Sequence, residues 1–326
     1  MSYLHSYLPH LFGNKKTHSF TFPQSLDWGK LSFEELLMFH ALKGTLEDFL
    51  QTLTIKNLSD LQVFHLFGFH EYLPKIFLEE LVIVYSGQWK LFLDSTHRHK
   101  ELHTNELQEI LNFKNHTLSV FALLHSDRNR PGKLFVRRAN GSFVHKSDGS
   151  LWSIPVLGLS GRGLPFNHSN GCTPCGVYTI DSVMPEANRF FDFGKFRRLV
   201  VNFISKSHDE VAIKDLLPRA HHDKLWWSQC LVGRELGRSL LRIHGTGAVN
   251  KKPLSPYFPM VATSGCLATV ETNFFGLWKR NHQRELLDCL MDALALPKSF
   301  ENESKIHGVL YVIDFDGKYQ ALEFRG

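Results

Sequence analysis

Apolar residues at Leu36, Phe39, Leu42, Leu46, Phe49, Leu50 and Leu53 recur at three- and four-residue steps, the signature of one helix face. Ser32 and Glu35 open the run as a capping box, in which each residue can satisfy an amide of the other. Gly44-Thr45 divides the run into two helices, and Asp60 to Phe67 and Lys75 to Glu80 predict further ones, separated by Pro74. The period then changes. Leu81 to Tyr85 and Trp89 to Leu93, either side of Ser-Gly-Gln, predict a hairpin. Thr104 to Leu111 predicts a short capped helix and Leu118 to Leu124 an apolar strand. Lys133 to Arg138 and Ser142 to His145 predict a second hairpin, with Asn140-Gly141 suited to a type I′ turn.

Residues 150–176 form a passage marked by Gly and Pro, a kind of long loop that is more often functional than not. Strands are predicted at Gly176 to Ile180, Leu199 to Ile204, Leu240 to Ile243 and His307 to Phe315. Arg284 to Leu296 predicts a helix that Pro297 ends. Many strands with Gly-rich connections favour a mainly-β second half. The expected class is therefore α+β: an N-terminal arm over 1–27, a helix-then-hairpin accessory region over 28–148, and a mainly-β domain over 149–326.

At 43% hydrophobic with 27 Phe, the chain has material for a sizeable core. No apolar run reaches the ~18 residues of a membrane span. The first sixteen residues lack an uninterrupted apolar stretch, because His5, Pro9 and His10 break it, so they do not read as a secretory signal. Net charge of +5 favours an acidic partner without naming it. No nucleic-acid motif accompanies that charge, and nucleic-acid binding ranks last.

The chemistry concentrates between Leu241 and Glu271. His244 ends an apolar run, and Cys266 follows a glycine in the small-residue turn Thr263-Ser264-Gly265-Cys266. A thiol attacks as thiolate, and a nearby imidazole is the usual means of making one. Cys-His sites are spatial pairs, so a gap of about twenty residues is no obstacle. The backbone N–H groups of Gly265 and Cys266 are candidates for an oxyanion hole. Against this stands the ordinary use of Cys as a buried filler.

Ile243-His244-Gly245-Thr246 followed by Thr263-Ser264-Gly265-Cys266 resembles the signature of the L,D-transpeptidase catalytic domain, whose members are bacterial cell-wall enzymes with a cysteine nucleophile. Upstream, Thr173-Pro174-Cys175-Gly176-Val177-Tyr178-Thr179-Ile180 resembles that family's Thr-Pro-x-Gly-x-Tyr/Phe-x-Ile strand. The resemblance spans roughly residues 150 to 315 and leaves the first 145 untouched. It implies a β-rich, sandwich-like fold with the Cys-His pair at a sheet edge, an envelope location, no cofactor, and peptidoglycan stem peptides as partners. It implies Cys266 as nucleophile, His244 as base and acid, and the Gly245 carbonyl as the orienter of the imidazole. Ser264 stands where the family usually has His, and Ala268 where it usually has Asn or Arg. Both departures bring in a divergent branch that hydrolyses murein cross-links, and a non-catalytic wall-binding protein, as alternatives to amine transfer.

Thr263, Thr246, Arg242 and Arg198 are the expected substrate contacts, the arginines as bidentate partners of a stem carboxylate. Arg197, Arg234 and Arg238 are weaker candidates for that role, each with a solvated face as the simpler reading. Trp226-Trp227 reads as core in preference to a cleft wall. Cys172-Thr-Pro-Cys175 has the spacing of a redox pair or half a zinc site. It runs into a strand and lacks a second ligand pair, although His168, His221 and His222 exist, so a local disulfide or two plain thiols is the simpler reading and no metal is expected.

Overall fold

The computed structural model describes residues 28–96, 102–186, 193–204, 209–274 and 278–324. The expected arm over 1–27 lies outside the described residues. Helices come first: α1 (Phe33–Lys43), α2 (Leu46–Gln51), α3 (Asp60–Gly68), α4 (Lys75–Val84), α5 (Ser86–Thr96) and α6 (Thr104–Asn112). The Ser32 capping box is formed. Ser32 N–H donates to Glu35 Oε2 at 2.7 Å, and Glu35 N–H donates to Ser32 Oγ at 3.3 Å. Gly44 ends α1 in the left-handed region at φ 74°, where the sequence places the break.

The first expected hairpin is not there: its two halves are α4 and α5. Leu78, Leu81, Tyr85, Trp89 and Phe92 fall at helical steps across the Ser-Gly-Gln gap. Leu81 and Phe92 are buried, and Tyr85 Oη donates to the carbonyls of Ile55 and Leu58 at 2.9 and 3.0 Å. Ile83 and Val84 are both exposed, so the β-branched run lacks the alternation of burial a strand requires. Tertiary packing of one helical stripe outweighs local β propensity. The accessory region is thus helical until β1.

The strands are β1 (Ser119–Leu124), β2 (Gly132–Arg137), β3 (Ile154–Val156), β4 (Gly176–Val183), β5 (Leu199–Phe203), β6 (Leu241–His244) and β7 (Leu267–Ala268). After the hairpin β8 (Glu271–Phe274) and β9 (Trp278–Asn281) comes β10 (His307–Asp314). Helices α7 (Asp209–Lys214), α8 (Ser228–Glu235), α9 (His282–Ala293) and α10 (Phe300–Glu303) fill the connections. The second expected hairpin forms, but with a different turn. Arg138 N–H donates to Ser142 O at 2.8 Å, and Gly141 N–H to Arg138 O at 2.9 Å. Gly141 takes φ 94° while Asn140 keeps a negative φ. The loop therefore has three residues, a type I turn followed by a left-handed glycine, instead of the two-residue type I′.

Eight strands make one sheet in the order β3-β2-β1-β10-β4-β5-β6-β7. β1 with β10 and β6 with β7 pair in parallel; the other neighbours are antiparallel. Just past β3, Leu157 exchanges both backbone hydrogen bonds with Ala268 of β7, each at 2.9 Å. The sheet is therefore nearly closed, and the free edges of β3 and β7 cover each other at that point. The molecule is 37% helix and 19% strand, a mixed α and β fold. Because β1 and β2 precede residue 149, the sheet is continuous across the boundary expected there.

The main core packs on both faces of the sheet, since consecutive residues of β1 (Val120 to Leu124) and β10 (Val309 to Ile313) belong to it together with α6, α8 and α9. A second apolar cluster ties α1 to α5 to Val232 of α8, to Leu236 just after it, and to Leu164 and Phe166 of the long loop before β4. The helical layer thus anchors the loop that borders the Cys266 turn.

Candidate active site

Strand alternation decides what meets at the site. Leu199 and Val201 of β5, Leu241 and Ile243 of β6, and Leu267 of β7 belong to the main core. Val200 pairs with Arg242, and Ile243 with both Leu199 and Leu267. Side chains one residue out of step point to the opposite face. Arg242 and His244 of β6, Cys266 leading into β7, and Arg198 leading into β5 share that face. His244 is level with Ala268 and so lies two residues along from Cys266.

The Cys266 turn is fastened on several sides. Thr263 Oγ1 donates to Cys266 O at 2.7 Å, and Thr173 Oγ1 donates to Gly265 O at 2.9 Å. Thr263 also exchanges backbone hydrogen bonds with the long loop, its N–H to Leu159 O and its carbonyl from Gly161 N–H. Gly265 adopts φ 102°, which disfavours any other residue. A Cβ there would also lie 2.3 Å from Arg238 Nη2. Outside the strand ladders, the amides of Gly265 and Cys266 donate to no backbone carbonyl among the described residues. Ser264 is exposed at the rim.

Cys266 is half-buried, its Sγ 3.8 Å from the carbonyl of Leu240. Leu240 itself is held at φ 59° with its side chain 71% exposed, a left-handed conformation uncommon for a branched residue. Burial pushes the thiol pKa up. Opposing it are a hydrogen bond from the Arg242 backbone N–H and the charges of Arg242, Arg238 and Arg198, which favour thiolate. Three guanidinium groups therefore act on one sulfur.

Each arginine has its own setting. Arg238 donates to the carbonyls of Phe166 at 2.5 Å and of Gly171 and Cys172 at 2.9 Å, so it staples the long loop beneath Gly265. Arg242 donates to Leu241 O at 2.6 Å, and the charged groups acting on it are Cys266 and Arg198. Arg198 is buried and lies over the Phe193 ring at 4.2 Å. Arg197 and Arg234 are elsewhere. Arg197 pairs with Glu303 and stacks on Phe300, while Arg234 bonds Ile204 O and Glu235.

His244 is buried, and its Nδ1 lies 2.6 Å from Gly245 O. Taken as a donor, Nδ1–H leaves Nε2 as the basic nitrogen. The Phe193 ring meets the imidazole edge-on at 5.1 Å. Thr246 is buried, and its Oγ1 donates to Ala248 O at 3.0 Å, closing the turn after β6 instead of facing outward. Ala268 is fully buried in the sheet closure.

Two participants carry no signal in the sequence. Phe193 comes from the loop before β5. Glu271 comes from the chain just past β7, and its carboxylate packs against Gly245. Residue identity alone marks neither, since both act through contacts distant in sequence.

Cys172 and Cys175 are free thiols, and no disulfide joins them. Cys175 is fully buried beside the Arg128–Asp314 ion pair, with Arg128 Nη2 donating to its sulfur at 3.3 Å. Cys172 Sγ accepts from Ser160 N–H at 3.4 Å. Burial raises both thiol pKa values. His168 pairs with Glu34, His221 with Glu109, and His222 with Leu217 O, all remote from a shared centre. Among the described residues no cluster of His, Cys, Asp and Glu could hold a metal ion, and no helix is long and apolar enough to cross a membrane. Trp226 and Trp227 are core.

No protein-family model, curated protein or solved structure matches the chain.

Proposed function

We propose that this protein is a cysteine acyltransferase of the L,D-transpeptidase type, acting on peptidoglycan stem peptides in the cell envelope. The observation that carries the reading is one shared sheet face. It holds Cys266, the buried His244 with Nδ1 on the Gly245 carbonyl, and two arginines, of which Arg242 faces the thiol and a second guanidinium. Cations gathered around one thiol suit an anionic substrate. The motif resemblance at residues 173–180, 243–246 and 263–266 supplies the substrate class.

The reaction follows from these groups. His244 Nε2 takes the Cys266 proton, and the thiolate attacks a stem carbonyl. The Gly265 and Cys266 amides hold the tetrahedral oxyanion. The C–N bond breaks, the leaving amine takes the proton from His244, and a thioester remains on Cys266. An incoming amine then attacks the thioester and gives its proton to His244, which returns it to the departing sulfur. Water in place of the amine makes the same site an L,D-specific murein hydrolase. Arg242 and Arg198 hold the stem carboxylate, a role that Ala268 cannot fill.

Intact-protein mass spectrometry with purified tetrapeptide stems tests the reading. A mass gain of one acyl group, absent in Cys266→Ala, supports the thioester. Stem binding with no adduct and no turnover supports instead a wall-binding protein.

A further inference from the structure

We propose that Glu271 is a positioning residue for the catalytic imidazole, a carboxylate wedged between the two segments that orient His244. This rests on the cysteine-enzyme reading above.

Glu271 is 8% exposed, and its Oε1 is buried without a hydrogen-bond partner among the described residues. A buried, unsatisfied carboxylate oxygen requires a reason. Its surroundings supply one. Oε2 accepts from Lys195 N–H at 2.7 Å. On one side lies Gly245, so close that a Cβ there would be 2.0 Å from Oε1. On the other lies Gly194, where a Cβ would be 2.6 Å from the carboxyl carbon. Both neighbours are glycines, and the carboxylate fills the space their missing side chains leave.

Those two segments determine where the imidazole sits. Gly245 provides the carbonyl that meets Nδ1 at 2.6 Å. The segment containing Gly194 and Lys195 begins at Phe193, whose ring packs on His244 at 5.1 Å and under Arg198 at 4.2 Å. Glu271 therefore braces the orienting carbonyl from behind and ties down the ring that forms the other wall. Burial raises its pKa, and the Lys195 and Phe196 amides and the Lys195 charge oppose that rise. Glu271 follows Cys266 by five residues, so the segment that carries the nucleophile also supports the base.

The test is the rate of Cys266 alkylation by iodoacetamide against pH in the full chain, read on the Cys266 peptide by mass spectrometry. It needs no wall substrate. Glu271→Ala loosens both walls and should lower the rate at pH 7 roughly tenfold, equivalent to moving the thiolate profile up by about one pH unit. Glu271→Gln keeps an acceptor for Lys195 N–H and fills the same space, so it should recover most of the wild-type profile. A purely structural role would lower the thermal midpoint and leave the profile in place. A folded Glu271→Ala with the wild-type profile, or Glu271→Gln no better than Ala, overturns the proposal. Should Glu271→Ala not fold, Glu271→Asp decides. Its shorter arm cannot span Gly245 and Lys195 N–H, and a wild-type profile there also overturns the proposal. His244→Ala run alongside separates the two claims. If its profile matches wild type, the cysteine-enzyme reading fails. If His244→Ala shifts the profile and the Glu271 variants do not, only the positioning role fails.

Discussion

Two cysteine-bearing segments run side by side here, and Cys175 in one and Cys266 in the other have opposite settings. Cys172 and Cys175 lie in the chain that enters β4, and Cys266 in the chain that enters β7, with Thr173 Oγ1 donating across to Gly265 O. Cys175 is fully buried, and the cation beside it, Arg128, is already neutralised by Asp314. Cys266 is half-exposed, and the charges acting on it are Arg242, Arg238 and Arg198. Burial raises all three thiol pKa values, so burial alone does not distinguish them. Cys172 is half-buried like Cys266 and feels Arg128 and Arg238 against Asp314. The full contrast is therefore between Cys175 and Cys266: access, together with three guanidinium groups that favour thiolate, the setting a nucleophile needs. The C-x-x-C spacing is the more familiar pattern, yet its Cys175 is the less accessible thiol.

Substitutions can break this contrast, beginning with the largest effect. Cys266→Ala should abolish turnover while leaving the thermal midpoint nearly unchanged, because the side chain is small and half-exposed. An active Cys266→Ala would erase the distinction between the two segments. His244→Ala should lower turnover by about 10²–10⁴, the usual worth of general acid–base help. Steady-state kinetics on a soluble stem substrate measures it, and a loss under threefold would remove the imidazole from the mechanism.

Arg242→Gln sharpens the electrostatic half of the contrast. It should raise KM for a carboxylate-bearing stem about 10- to 100-fold, the equivalent of one charge-assisted hydrogen bond, with a smaller effect on kcat. A stem amidated at that carboxylate should lose the difference. Cys172→Ser with Cys175→Ser should leave kcat within about twofold and cost stability on the order of 1 kcal/mol, as buried substitutions commonly do. Denaturant titration beside the same kinetic assay checks both halves, and an inactive, well-folded double variant would move the chemistry to Cys172 and Cys175.

The smallest expected effect is in pH-dependent stability. The folded protein holds the Glu271 proton above the ordinary carboxylate value of 4.5, so it binds more protons than the unfolded chain in that range. Stability from this group therefore falls as pH rises from about 4.5 through the raised pKa. In Glu271→Gln that slope should be absent, and thermal midpoints measured from pH 4 to 7 should decline less than in wild type.

The sequence shows local features well. The Ser32–Glu35 capping box and the left-handed Gly44 were legible because each is decided within a few residues. His244, Gly245, Gly265 and Cys266 stand out in the sequence because they lie in two short motifs, and β6 and β7 carry those motifs side by side. The β-branched run in Leu81 to Leu93 suggests strand locally, while the helical stripe is settled by burial of Leu81 and Phe92 and by Tyr85 Oη donating to the Ile55 and Leu58 carbonyls. The turn at Asn140-Gly141 was placed correctly but given the wrong type, because the dipeptide does not determine loop length. Thr246, an expected substrate contact, hydrogen-bonds within its own turn, a bond the motif alone does not show. Arg238, one of several equivalent arginines in the sequence, gains its role only when the long loop folds over Gly265. Phe193 and Glu271 were invisible for the same reason. The sheet closure at Leu157 and Ala268, one pair of hydrogen bonds between distant segments, leaves no trace in composition or period.

The most direct test of the central claim is mass spectrometry of muropeptides after purified peptidoglycan is incubated with the protein, with Cys266→Ala as the control. The account predicts new cross-linked or amine-exchanged muropeptides that require Cys266. Loss of cross-links that requires Cys266 would keep the nucleophile and make water the acceptor. Identical muropeptide profiles with wild type, Cys266→Ala and no protein would contradict the account and remove peptidoglycan as the substrate of this site.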